Sequence, residues 1–188
     1  VGQLRDVPKA LADFERGCPG ARHLHLAARL RHALQTGGPV GPLLTQIDVT
    51  ALGADTGHVG TLVWAAWEGR RPDLLSRLLD DQRGRAPTPH RDRLLIRIAT
   101  ALQDAALVET TCREALARTP GNHGVRLELA GLLYWSDRRG EALDLLAEGA
   151  EMFPGAVAVT ARLARWRFER DGDETNLRDL AAMAAASP

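Results

Sequence analysis

Lysine occurs once in this chain of 188 residues, at Lys9, so almost all of its positive charge is arginine. That bias is the one expected of a GC-rich bacterial genome. Basic and acidic residues balance at 24 each, for a formal net charge of zero. A balanced chain has no general attraction for nucleic acid or an anionic membrane surface, so both roles are set aside. Aromatic residues make up only 4% of the sequence, and no stretch alternates apolar and polar residues as a half-buried strand would. Every long apolar run is interrupted by charge, which leaves no candidate membrane-spanning helix. The first residue is Val1 and no signal peptide follows it. The expectation is an excised or processed piece, with the compartment, cytoplasm or periplasm, left open. Cysteine is scarce too. Cys18 and Cys112 are expected to be free thiols, packed as small hydrophobes.

The chemistry of a catalytic or metal site is equally thin. His23 and His25 are two residues apart and would point to different faces of a helix, so they do not form a metal pair. His32, His58, His90 and His123 have no carboxylate or cysteine at ligand spacing. The three serines, Ser76, Ser136 and Ser187, lie outside any nucleophile elbow. The glycine-rich run Thr36–Pro42, TGGPVGP, lacks the lysine and hydroxyl of a phosphate loop. Asp171, Asp173 and Glu174 lack the twelve-residue calcium pattern and read as a turn with a helix cap. A non-enzymatic chain without cofactor or metal is expected.

What the sequence does contain is helical periodicity, clearest between Gly121 and Pro154. Val125, Leu129, Leu132 and Leu133 recur at helical spacing, with Ala130 and Gly131 as a small-residue face. After a turn at Ser136–Asp137, either of which suits a helix cap, comes a second stripe: Ala142, Leu145, Leu146, Gly149 and Ala150. Pro154 then ends the helix. Two such helices cannot bury their apolar faces on each other alone. Neighbours are needed.

The punctuation supplies them. Pro19, Gly53, Pro87, Pro120, Pro154 and Pro188 fall 33 or 34 residues apart, with helical periodicity in each interval. With a helix pair per period, and with Leu129, Ala130, Leu133, Ala142, Leu146 and Gly149 in the central unit, the chain resembles the tetratricopeptide repeat family. The preceding unit supplies Leu95, Ile96, Ala99, Cys112 and Ala115, and the following one Leu163, Ala164, Leu180 and Met183. The departures are Asn176, where a small residue is usual, and the absence throughout of the family's tryptophan near the start of each unit. The resemblance implies an all-α, right-handed superhelical solenoid of about five helix-turn-helix repeats. Its parts would be a half repeat over 1–19 and units over 20–53, 54–87, 88–120, 121–154 and 155–188. In such an array each unit touches only its neighbours, so the two cysteines would lie too far apart to pair.

Taken in order, helices are expected over Val1–Cys18 (with Pro8 in the first turn, then Leu11 and Phe14) and over Ala21–Gln35. A short helix follows from Leu43 to about Leu52, then Gly57–Gly69 and a helix opened by Pro72 with Asp73 at its positive end. The loop Arg83–Pro89 is the best hinge candidate by composition. Arg91–Gln103, Ala105–Arg118 and the central pair come next, then Val157–Glu169, a turn over Arg170–Asp173, and Glu174–Ala185. Neither end looks capped, which suggests that the array continues beyond this chain and offers a route to self-association.

The family resemblance also implies where a partner would bind, because the first helix of each unit lines a concave groove. The matching positions hold Trp64 and Trp67; His90, Arg93, Arg97 and Thr100; Leu127, Gly131 and Tyr134; then Ala161, Arg165 and Phe168. Arg93 and Arg97 are four apart on one helical face and could present two guanidinium forks to a carboxylate or phosphate. The asparagines that complete the family's carboxylate clamp are missing, so that clamp is not inferred. A competing reading makes the arginine pair a solvated face, or one neutralised by acids on an adjacent helix, and makes Trp64, Trp67, Tyr134 and Trp135 inter-helix packing. The binding set is therefore Trp64, Trp67, His90, Arg93, Arg97, Tyr134 and Arg165. It fits a scaffold that takes a protein or peptide segment, acidic in character. The alternative is an accessory region of a larger bacterial enzyme or export machine, for example in polysaccharide assembly, where the repeats position a catalytic module or polymer.

Overall fold

A computed structural model of the chain describes residues 7–17, 22–49, 56–172, 174, 175, 178 and 181. Among the described residues there are ten helices and no strand. Cys18, the breakers Pro19, Gly53 and Pro188, and most of the helix expected over Glu174–Ala185 lie outside the described residues. The chain divides into two compact units, residues 1–104 and 105–188.

The first unit holds α1 (Val7–Gly17), α2 (Arg22–Thr36), α3 (Gly41–Leu44), α4 (Thr56–Glu68), α5 (Pro72–Arg83) and α6 (Pro89–Ala101). α4 is central, packed against α2, α5 and α6. Leu30, Leu62, Leu74, Leu78, Ile96 and Ile98 are buried between these helices. α5 starts at Pro72, whose missing N–H is no loss in a first turn. Asp73 in that turn is also gripped by Arg71, at 2.8 and 2.6 Å, and this hydrogen-bonded guanidinium lowers its carboxyl to about 2. α6 starts where the Thr88 hydroxyl accepts from the Arg91 amide at 3.1 Å.

Two expectations are corrected here. The short helix expected from Leu43 to about Leu52 is a single turn, Gly41–Leu44. Pro42 starts it early, and the Thr45 hydroxyl and Gln46 amide both donate to the Pro42 carbonyl, drawing the chain back on itself. The Arg83–Pro89 loop, read as a hinge, lies inside the first unit and is pinned. Arg85 forks onto Asp81 at 2.9 Å through two nitrogens, and Arg91 donates to the Arg85 carbonyl.

The second unit holds α7 (Ala105–Arg118), α8 (His123–Trp135), α9 (Arg139–Met152) and α10 (Val157–Asp171). α8 packs on α7, α9 and α10. Of the framework residues read from the sequence, Leu129, Ala130 and Leu133 on α8, Ala142, Leu146 and Gly149 on α9, and Leu163 and Ala164 on α10 are buried, while Leu180 and Met183 lie outside the described residues. Burial pushes the Cys112 thiol up to about 12, with the charge of Glu128 adding to it, so this cysteine is an inert packing group.

Where the resemblance lacks its tryptophan, α8 carries Arg126, which is only 2% exposed. Its two terminal nitrogens donate to the Leu145 carbonyl at 3.0 Å and the Pro120 carbonyl at 3.2 Å, tying the α7–α8 loop to α9. The stem fits because Gly149 has no side chain. A Cβ there would overlap Arg126 Cδ and sit 2.8 Å from Nε. Arg138, just before α9, bridges Glu109 on α7 (2.7 and 3.1 Å) and Glu141 on α9 (2.7 and 2.6 Å). It also occupies the N-cap position expected for Ser136 or Asp137. Ser136 instead closes α8, and Asp137 sits in the left-handed region with φ +62°, a conformation no N-cap adopts.

That left-handed residue recurs. Gly37, Arg70, Gln103, Asp137 and Gly172 have φ between +51° and +69°, at steps of 33, 33, 34 and 35 residues. Each follows the end of a helix, namely α2, α4, α6, α8 and α10. After the first four, the next amide reaches back five residues: Gly38 to Ala33 (2.8 Å), Arg71 to Ala66 (2.8 Å), Asp104 to Ala99 (3.2 Å) and Arg138 to Leu133 (2.9 Å). This is the Schellman closure, in which one left-handed residue satisfies carbonyls that the helix end would otherwise orphan. The period near 34 residues is thus present in the backbone itself.

Candidate functional site

On α4, Gly60, Trp64 and Trp67 are spaced i, i+4, i+7 and share one face. On α6, His90, Arg93, Arg97 and Thr100 do the same. The two faces adjoin. A terminal nitrogen of Arg97 lies 3.7 Å from where a Gly60 Cβ would be, so its guanidinium reaches across onto α4 beside the tryptophans' side of that helix. On the other side of α4, Arg31 of α2 donates to the Thr61 hydroxyl at 3.3 Å.

Exposure separates the two tryptophans from inter-helix packing and leaves the arginines on a solvent-facing side of α6. Trp64 is 45% and Trp67 52% exposed, more than packing against neighbouring helices would leave to so large an apolar residue. His90, Arg93 and Arg97 are exposed. Of the acids on α5 and α6, Asp73 holds Arg71, Asp81 holds Arg85, Asp92 is buried near Arg91, and Asp80 is exposed on α5. Among the described residues, no acid pairs with Arg93 or Arg97. The result is two apolar plates beside two cations whose charge is uncommitted.

A cavity of about 570 Å³ opens at the end of this face where α4 and α6 terminate. Its wall is mixed, with Trp67 and Pro72 beside Glu68, Arg70, Arg71 and Gln103. Its position follows from the Schellman turns: the left-handed bends at Arg70 and Gln103 swing the chain aside at the ends of α4 and α6. Sequence reading had Trp67 but not the cavity, because the turns are carried by Arg70 and Gln103 and not by glycine.

The second unit treats its share of the expected set differently. Tyr134 is 6% exposed, its ring stacked on Trp166 at 4.1 Å and crossed by Arg139 at 5.3 Å. Its hydroxyl donates to Glu169 at 3.2 Å. Tyr134 is a packing residue, contrary to its expected place in a groove. An aromatic ring beside a second one gains more from burial than from solvent, and Glu169 satisfies its polar end. Arg165 is exposed but committed, donating to Glu169 at 2.7 Å. The Arg165 partner holds the Glu169 carboxyl below the usual glutamate range, with the Tyr134 hydroxyl adding to the effect.

No group of three or more His, Cys, Asp or Glu is placed to hold a metal ion among the described residues. Among the same residues, no helix is long and apolar enough to cross a membrane. Compared with known proteins, the chain matches no family model, no curated protein and no solved structure.

Proposed function

We propose that the chain is a non-catalytic protein-interaction scaffold built of tetratricopeptide-like helix pairs, binding an acidic segment of a partner protein across the α4–α6 face. The observation that carries this reading is the juxtaposition of half-exposed Trp64 and Trp67 with unpaired Arg93 and Arg97. Exposed aromatic and arginine side chains together are the composition of binding hot spots. The repeat assignment draws its support from the Schellman turns at steps of 33 to 35 residues and from the buried small-residue framework.

The test is capture of partners by the parent chain and by an Arg93→Glu, Arg97→Glu double variant, with circular dichroism and melting curves matched beforehand. Both substitutions are on exposed positions, so melting should shift by less than about 0.5 kcal/mol. A partner held by the parent, released by the variant and weakened by added salt supports the reading. Equal binding by both would move the site off this face. Failure of the parent to bind any partner would favour the accessory-region alternative, in which the repeats position a module of their own protein.

A further inference from the structure

The first unit has a second cavity, of about 550 Å³, formed by α1, α2, α3 and the loop before α3. It shares no lining residue with the cavity beside Trp67. The way the chain leaves α2 creates it. Gly37 turns left-handed, the Gly38 amide closes the helix end on the Ala33 carbonyl, and α3, with Leu43 buried, packs back on α2. Pro39 and Pro42 stand in the resulting wall, and Leu11 and Ala12 of α1 supply another. Neither proline has an N–H, so the backbone offers no donor at those two places.

The polar groups come from one helix. His25, Arg29 and His32 are spaced i, i+4 and i+7 on α2, which places them on one face, and all three line the cavity. The row runs roughly 10 Å along the helix. His25 is 4% exposed, and Arg29 and His32 are half-buried. Among the described residues, no acid lines the cavity. Asp13 of α1 is held by Arg16, and Arg31 of α2 is turned to Thr61.

That combination selects a ligand class. One guanidinium can grip one carboxylate through two parallel hydrogen bonds. An imidazole on either side offers a ring nitrogen that donates or accepts. The apolar walls favour a hydrocarbon body, and the volume is in the range that takes a small ligand. A single half-buried cation is poorly suited to a polyanion such as a nucleic-acid strand, which spreads its charge along an open surface.

We infer that the α1–α2–α3 cavity is a binding site for a small organic acid, with its one carboxylate on Arg29 between His25 and His32 and its hydrocarbon body against the Leu11 and Pro39–Leu43 walls. This site goes beyond the proposed partner-binding face, with which it has no residue in common.

The experiment titrates the full chain with butanoate, hexanoate and octanoate, and with hexanol as the uncharged counterpart, by calorimetry. Histidine side-chain resonances are followed by NMR in parallel. Affinity should rise about fourfold per added CH₂ along the acid series. Hexanoate should bind about tenfold more tightly than hexanol. The His25 and His32 signals should move while those of His58, His90 and His123 stay in place. Arg29→Gln should bring hexanoate down to the affinity of hexanol. Ala12→Phe, at an exposed position on α1, should fill the cavity and weaken acid and alcohol together, with circular dichroism showing that the helices persist. No saturable binding, equal affinity of hexanoate and hexanol for the parent chain, or undiminished hexanoate binding by Arg29→Gln would overturn the site. Shifts confined to His90 would put the acid on the α4–α6 face and overturn it equally.

Discussion

Arg126 shows how one residue can hold a unit together from an unexpected place. Its guanidinium is buried and hydrogen-bonded to two carbonyls, and its stem occupies the space that Gly149 leaves. Gly149→Ala should therefore destabilise the second unit by roughly 1–3 kcal/mol through overpacking, read as a lower midpoint in urea. In an Arg126→Ala background the sign should reverse. The obstructing atoms are all Arg126's, and alanine in a helix interior is favoured over glycine by roughly 0.5–1 kcal/mol. An unchanged penalty in the double variant would refute the contact. Arg138 makes a second residue-scale prediction. Its hydrogen bonds hold the Glu109 and Glu141 carboxyls below their ordinary range. A carboxyl lowered in the folded state adds stability above its unfolded pKa and loses it as pH falls through the folded value. Arg138→Gln should accordingly lower the melting temperature near neutral pH, and the gap from the parent should close as pH drops below about 4. A gap that persists in acid would assign the effect to packing.

At the scale of helices and turns, left-handed residues that are not glycine carry a cost. Arg70 and Gln103 both hold φ above +50°, where a side chain costs roughly 1–2 kcal/mol that glycine avoids. Arg70→Gly or Gln103→Gly should raise stability by roughly 0.5–1 kcal/mol, and Gly172→Ala should lower it by a similar amount. Denaturant melts of the three variants check this. The same turns mark the limit of what could be read from letters. Proline starts, apolar stripes and small-residue faces are written in composition, so α5, α7 and the central pair were legible to within a residue or two. A turn built from Arg70 or Gln103 has no such mark, and neither does the cavity it creates. Arg126 was missed because arginine on a helix is read as solvent-facing unless a partner is visible. Here the partners are backbone carbonyls, Leu145 on α9 and Pro120 in the α7–α8 loop, and no sequence pattern announces them. Tyr134 was misplaced for a related reason: a position carried over from a resemblance says nothing of Trp166, whose ring claims it. Trp64 with Trp67, and Arg93 with Arg97, share a helical face by their spacing, which the letters show, but their exposure is set by how the helices pack.

For the molecule as a whole, the division at Asp104 gives each compact unit its own set of buried side chains. With separate cores in the two units, damage to one core should stay local to its unit. Native-state hydrogen exchange of Gly149→Ala is expected to show lost protection across α7 to α10 with α4 to α6 unchanged. Uniform loss over the chain would mean a single cooperative core. The recurring left-handed bend has a wider consequence. Glycine, arginine, glutamine and aspartate all serve at it, so the instruction that turns the chain back on itself is a torsion angle and not an amino acid. Two helix pairs built on that instruction can keep their shape while their letters drift apart. In such a chain ancestry can outlast resemblance, and the surfaces free to drift, such as the α4–α6 face, are the ones on which a new partner can be acquired without rebuilding the frame beneath.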